Sequence, residues 1–217
     1  MIVLDGVSKS FRTESGYRVV LDDVSIALPT DRHIGVLGRN GAGKSTLLRL
    51  ISGAEAPDSG RIYKHDVSVS WPLGFTGGFH NALTARENLR FVSRIYGADI
   101  YEVAAFVEEF SELGEYFDMP ISTLSSGMRA RLAFGLSLAM RFDFYLIDEL
   151  VSVGDYWFRA KAQQEFDRIR AEAGLLLVSH SPATIRNFCD TGLVLRRGKL
   201  IIFDALEDAI DYYLGDE

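Results

Sequence analysis

Gly38-Arg39-Asn40-Gly41-Ala42-Gly43-Lys44-Ser45 follows the apolar run His33 to Leu37 and opens the amphipathic stretch Lys44 to Ser52. Its spacing, G-x-x-x-x-G-K-[ST] between a strand and a helix, is that of a phosphate cradle. Glycines at 38, 41 and 43 let the backbone turn tightly, so that the N–H groups of residues such as Asn40, Ala42 and Gly43 converge on phosphate oxygens. The helix that begins there adds its positive amino-terminal end. Lys44 is placed to reach the β- and γ-phosphates as a point charge, the Ser45 hydroxyl to ligate Mg²⁺, and Thr46 to bond a further phosphate oxygen. Gly53 is the expected stop of the helix. A glycine-rich turn that binds nothing is the rival reading, and the strand before and helix after weigh against it.

Outward from the cradle, strand and helix patterns alternate. Ile2 to Val7, Val19 to Leu28 and His33 to Leu37 read as strands, Pro57-Asp58-Ser59-Gly60 as a turn, and Arg61 to Tyr63 as another strand. Between about Ala82 and Met140 the patterning is helical. Val103, Phe106, Val107, Phe110 and Leu113 recur at helical spacing on one predicted buried face, with Glu102, Glu108, Glu109 and Glu112 on a solvated one. Phe144 to Ile147 and Leu175 to Ser179 are short continuous apolar runs suited to strands covered on both faces. The stretch Tyr156 to Glu172 supplies a crossover helix between them. The coarse architecture is α/β with a helical insertion.

Composition excludes several classes. The chain has 217 residues, 47% hydrophobic and 24% charged, enough for one packed domain. A net charge of −7 argues against nucleic-acid binding driven by overall charge. Cys189 is the single cysteine, so neither an intrachain disulfide nor a cysteine metal site can form, which suits a reducing compartment. The amino-terminal MIVLDGVSKSF does not read as a signal peptide. No apolar run approaches the roughly 18 residues that span a bilayer, so any membrane role requires a partner.

Two further groups carry chemistry. Phe144-Tyr145-Leu146-Ile147-Asp148-Glu149 is an apolar strand ending in two acids. Beside the cradle, Asp148 can hold Mg²⁺ directly or through water, and Glu149 can orient and polarise an attacking water. His180 follows the strand Leu175 to Ser179, at the carboxyl end where α/β sheets place ligands, and is a candidate γ-phosphate contact.

Taken together, these residues resemble the ATP-binding-cassette (ABC) ATPases over essentially the whole chain. The resemblance implies a P-loop NTPase fold of the ABC nucleotide-binding type, a single domain over 1–217, with an antiparallel β subdomain and the helical subdomain at about 82–140. It implies MgATP binding and hydrolysis. It also identifies a signature sequence, commonly L-S-G-G-Q, at Leu124-Ser125-Ser126-Gly127-Met128, where Ser126 and Met128 replace the usual first glycine and glutamine. Ser125 and the Gly127 N–H lie at the start of a predicted Met128 to Met140 helix, a second anion-binding end; a plain serine cap is the alternative. In the family this motif faces the γ-phosphate held by the opposite subunit, which implies a homodimer. By the same resemblance Asp155 couples the two sites and Phe11 stacks on adenine, with Tyr17 a weaker candidate. The family's loop glutamine has no counterpart between Tyr63 and Asn88, where His80 is the nearest polar substitute.

Within the family, Trp71 to His80, Leu83 to Asn88, FVEEFSELGEYFDMP (Phe106 to Pro120), Ser125 to Leu132 and Asp148 to Asp155 are similar to the ATP-binding proteins of bacterial capsular polysaccharide exporters. O-antigen and teichoic-acid exporters share parts of this similarity, and the short chain favours the capsule branch. A soluble ABC ATPase without a permease is a more distant alternative. The resemblance implies integral membrane permease subunits as partners, a place on the cytoplasmic face of the bacterial inner membrane, no nucleic acid, and no direct contact with the polysaccharide.

Overall fold

Strand–helix alternation organises both ends of the chain, and helices fill its middle. The structure is a computed structural model that describes residues 1–14, 16–74, 76–148, 156–203 and 205–215. In chain order the elements are β1 (Ile2–Thr13), β2 (Gly16–Leu28), β3 (His33–Leu37), α1 (Lys44–Ser52), β4 (Ser59–Lys64), β5 (Val69–Pro72), α2 (Ala85–Tyr96), α3 (Ile100–Ser111), α4 (Ser126–Ala139), β6 (Phe144–Asp148), α5 (Tyr156–Glu172), β7 (Gly174–Ser179), α6 (Pro182–Phe188), β8 (Thr191–Arg196), β9 (Lys199–Phe203) and α7 (Leu206–Leu214). They divide into two compact units, one formed by Met1–Pro72, Phe142–Leu150 and Glu172–Glu217, the other by Leu73–Arg141 and Val151–Ala171.

The first unit holds two sheets. β2, β1 and β4 form an antiparallel sheet, and β5-β6-β7-β3-β8-β9 a second one, parallel except for β9. β1 and β2 run past the predicted ends at Val7 and Val19. Register shifts between Leu4 and Ser10 break the period-two alternation there, which hides the strand's continuation from the sequence pattern. One core joins the sheets and α1: Ile2, Leu4, Leu21 and Leu28 pack with Val36, Leu47, Ile51, Leu146 and Val178, all at most 1% exposed. On the other side, glycines in the strands let helices approach closely. A methyl group at Gly35 would come within 2.6 Å of Ile185 on α6, and one at Gly192 within 2.4 Å of Ala209 on α7.

The start of β6 is pinned to the approach to β5. Asp143 accepts from the Ser68 N–H at 2.8 Å and the Ser68 hydroxyl at 2.7 Å, while the Asp143 N–H donates to Ser68 Oγ at 3.0 Å. The Ser68 hydroxyl and N–H hold the Asp143 carboxyl below its ordinary pKa. A carboxyl depressed in the folded state contributes stability above its unfolded pKa, about 4, and loses it as pH falls through the folded value. Asp143→Ala is therefore expected to destabilise the chain by about 1 kcal/mol at pH 7. The difference in thermal midpoint from wild type should shrink as pH drops below about 4; a difference independent of pH would refute the assignment.

The second unit is helical. Thr84 and Glu87 form a reciprocal capping box on α2, and Asp99 caps α3 through bonds to the N–H groups of Tyr101 and Glu102. Val103, Val107, Phe110 and Leu113 are buried as predicted. Phe106 is only half-buried, stacked on Phe110 at 5.6 Å. Phe110 also meets Phe158 of α5 edge-on at 5.1 Å. The acids predicted to be solvated are exposed, yet two are paired: Glu108 with Arg86 at 3.1 Å and Glu112 with Lys161 at 3.0 Å. α5, predicted as a crossover for the parallel sheet, clusters with these helices through Ala171.

Candidate nucleotide site

α1 opens at Lys44 with Gly43 as its amino-terminal cap, in the left-handed region at φ 111, and ends at Gly53 as predicted. Gly41, at φ 78, supplies the other left-handed turn of the cradle. The Ala42 N–H donates to Arg39 O at 3.0 Å, which closes the loop. Lys44 is 7% exposed, and its ammonium donates to the carbonyls of Gly38 at 2.6 Å and Arg39 at 3.2 Å. Those bonds lay the charge along the cradle. Thr46, also 7% exposed, accepts from Arg49 at 3.2 Å, which leaves its own O–H to donate. Ser45 is exposed.

The sheet order aligns the remaining residues. β7 lies between β6 and β3, with Asp148 opposite Val178 and Val178 opposite Val36. Two strand spacings, about 10 Å, therefore separate Asp148 from the strand that feeds the cradle. His180 follows β7 on the same carboxyl edge; its side chain is exposed, and its carbonyl accepts from the Tyr213 hydroxyl at 3.4 Å. This edge is where parallel sheets present ligands.

A cavity of about 620 Å³ brings the groups together. Its lining includes Phe11, Asn40, Gly41, Gly43, Lys44, Ser45, Thr46 and Asp148, together with Thr13, Arg18 and Val20. Phe11 sits half-exposed on β1 with the Lys9 ammonium 5.4 Å from its ring centroid. Its ring is one of the groups that line the cavity. Tyr17 does not line the cavity and is 76% exposed. Gly38 and Ala42 stand on the β8 side of the cradle, where a methyl at Gly38 would come within 2.9 Å of Leu195 O. Arg18 and Val20 were missed in the sequence. The pairing of β2 with β1 sets Arg18 opposite Phe11, and Val20, two residues on, packs over Gly43. Glu149 and Asp155 lie outside the described residues.

In the helical unit, α4 begins two residues earlier than predicted. Ser125 is its cap and accepts from the Met128 N–H at 3.2 Å. Leu124 is 3% exposed and anchors the motif, while Ser125, Ser126 and Gly127 lie exposed at the helix start. A methyl on Gly127 would meet only Ser125 Oγ, at 4.0 Å, so the surface there is open. His80 is exposed, and its backbone is clamped by Asn88, whose amide oxygen accepts from the His80 N–H at 2.8 Å and whose amide nitrogen donates to His80 O at 3.2 Å. Asn88, 2% exposed, also donates to Thr84 O at 2.8 Å. It organises this loop, a role its sequence position does not announce.

The family model described as ABC transporter matches residues 21–152. The capsule polysaccharide export ATP-binding protein CtrD of Neisseria meningitidis serogroup B is 50% identical over 213 residues, 98% of this chain and 98% of its own. The polysialic acid transport ATP-binding protein KpsT of Escherichia coli is 46% identical, over 98% of this chain and 96% of its own. Among solved structures, a post-hydrolysis dimer of the ATP-binding cassette MJ0796 bound to ADP and Pi matches with a TM-score of 0.74 over 95% of this chain and 99% of that one; at 22% identity this is a likeness of fold. A family model that takes in more than half the residues, and relatives near half identical along almost all of them, agree with the cradle and sheet order seen here: the chain belongs to the ABC transporter family.

Proposed function

We propose that this chain is the ATP-hydrolysing subunit of an exporter of capsular polysaccharide, acting as a homodimer beneath an integral membrane permease at the cytoplasmic face of the bacterial inner membrane. The observation that carries this reading is identity of 50% to a capsule polysaccharide export ATP-binding protein, and of 46% to a polysialic acid transport ATP-binding protein, along almost the whole chain. Among the described residues no helix is long and apolar enough to cross a membrane; in this proposal the permease supplies the path.

The assigned roles follow from position. Gly38 to Gly43 wrap the phosphates with backbone N–H groups, Lys44 neutralises them, and Phe11 packs on adenine. Ser45 and Asp148, oxygen ligands that line the same cavity, suit Mg²⁺, which binds through one or two protein oxygens plus phosphates. When bound, the cation neutralises charge on the transferring phosphoryl group. Glu149 orients the attacking water and His180 holds the γ-phosphate. Ser125 and Gly127, exposed at a helix start, complete the partner's site, and Asp155 links the two sites across the dimer. The test is complementation. Expression of this chain in a Neisseria meningitidis strain lacking CtrD should restore surface capsule, and a Lys44→Ala version should not. Failure of the wild-type chain, expressed stably with its own permease, would count against the export reading.

The permease surface is assigned to the helical unit. Trp71 packs edge-on against Phe142 at 5.4 Å and Leu73 is 3% exposed, so those two serve packing. Gly77 and Gly78 are exposed and Phe79 is half-buried, while α2 exposes Phe91 and Ile95, four residues apart, at 59% and 62%. Phe79→Ala is expected to lower surface capsule several-fold while MgATP affinity stays at the wild-type value. Normal capsule from the variant would exclude this contact.

A further inference from the structure

The edge of the nucleotide cavity carries a cation besides Lys44. Arg18 and Val20 lie two residues apart on β2 and so share a face of the strand. That face runs along the cradle. A methyl on Gly43 would fall 2.1 Å from Val20 Cγ1, and one on Gly41 would fall 2.9 Å from Arg18 Nη2. Arg18 Nη2 donates to the carbonyl of Gly41. Across the strand pair, Arg18 stands opposite Phe11, and both line the cavity with Lys44, Ser45 and Asp148. Among the described residues, Gly41 O is the only hydrogen-bond acceptor of Arg18 and no carboxylate pairs with it. A guanidinium has five N–H donors and matches phosphate oxygens in pairs. Here most of that capacity stands at the mouth of a phosphate cradle.

We propose that Arg18 is a positioning residue for the nucleotide: its charge rests against the diphosphate portion common to ATP and ADP, while its bond to Gly41 keeps the cradle in shape to receive them. The proposal rests on the reading of the cradle as the ATP site. Three consequences follow. ATP and ADP are held by the same contact, so both lose affinity together when it is removed. Attraction between unlike charges is screened by salt, so part of the salt dependence of nucleotide affinity belongs to Arg18. A contact made equally before and during reaction acts on KM and leaves kcat in place.

The experiment titrates full-length wild type, Arg18→Gln, Arg18→Lys and Lys44→Ala with MgATP and MgADP, at about 50 mM and about 500 mM salt. Arg18→Gln keeps an amide donor for Gly41 and removes the charge. It is expected to weaken both nucleotides about tenfold at low salt, with a smaller difference at high salt, and to raise KM with kcat kept within about twofold. Arg18→Lys should recover most of the affinity. Wild-type affinity in Arg18→Gln would overturn the proposal. So would equal losses in Arg18→Gln and Arg18→Lys that do not vary with salt, because a loss indifferent to both charge and ionic strength does not come from attraction to the diphosphate. If Lys44→Ala binds as wild type, the cradle reading itself fails; if Lys44→Ala alone is defective, only the role of Arg18 does.

Discussion

Lys44→Ala leaves a folded chain that no longer binds MgATP productively. The side chain is 7% exposed, and its ammonium is fixed by the carbonyls of Gly38 and Arg39 at 2.6 and 3.2 Å, within the loop that must wrap the phosphates. Removing one member of a buried charge pair typically costs about 2–5 kcal/mol, because the partner charge is left uncompensated. Applied to the triphosphate, that range corresponds to a loss of affinity of roughly 30- to 4,000-fold. ATP hydrolysis should fall to background at millimolar nucleotide. The loop keeps its other supports, among them the Ala42 to Arg39 hydrogen bond and the packing of Val20 on Gly43, so the thermal midpoint without nucleotide should move by only a few degrees. Titration with a fluorescent ATP analogue, beside a melting curve, separates the two effects. Affinity within threefold of wild type would mean that the cradle is held by something other than this lysine.

What was legible in the sequence, and what was not, divides by the range of the interactions. The cradle was legible because all its parts are consecutive: Gly38 to Ser45 specify two left-handed turns and a helix start without reference to the rest of the chain. Phe144 to Asp148 and Leu175 to Ser179 were legible because strands covered on both faces are apolar throughout. β5 was not. It has four residues, one of them Pro72, and it holds its place on the sheet edge through the Ser70 hydroxyl, which accepts from the Leu146 N–H at 2.9 Å, 76 residues away. β8, β9, α6 and α7 also went unread; their packing rests on close approaches such as Ile185 over Gly35, which no local pattern encodes. The same division runs through the site. Lys44, Ser45, Thr46 and Asp148 came from motifs and line one cavity, whereas Arg18 and Asn88 act through a strand pairing and a loop clamp. The signature motif was legible only through family resemblance, because a serine cap before a helix has an ordinary structural meaning.

Glu149→Gln separates binding from chemistry where Lys44→Ala removes both. β6 delivers Asp148 to the cavity wall in register with Val178 and Val36, and Glu149 is the next residue of the chain. Glutamine matches glutamate in size and hydrogen-bonding reach but cannot take a proton. The change therefore withdraws a general base without disturbing the cradle, Ser45 or Asp148. General-base assistance contributes about 10²- to 10⁴-fold, so turnover should fall by that factor while MgATP affinity stays within about twofold. In the cycle proposed above, hydrolysis is the step that lets a nucleotide-bridged dimer reopen. If Ser125 and Gly127 of one protomer close over the triphosphate of the other, blocking that step must make the dimer accumulate. Light scattering on the purified variant with MgATP, and with its permease supplied, should show a dimer that wild type forms only transiently, and ADP should not support it. Adding Ser125→Arg to Glu149→Gln sharpens the test, since a bulky cation on the open surface of α4 should abolish the dimer and leave nucleotide binding to each protomer intact. Wild-type turnover by Glu149→Gln would remove this residue from the mechanism. A catalytically silent Glu149→Gln that stays monomeric would instead break the link between the two halves of the site.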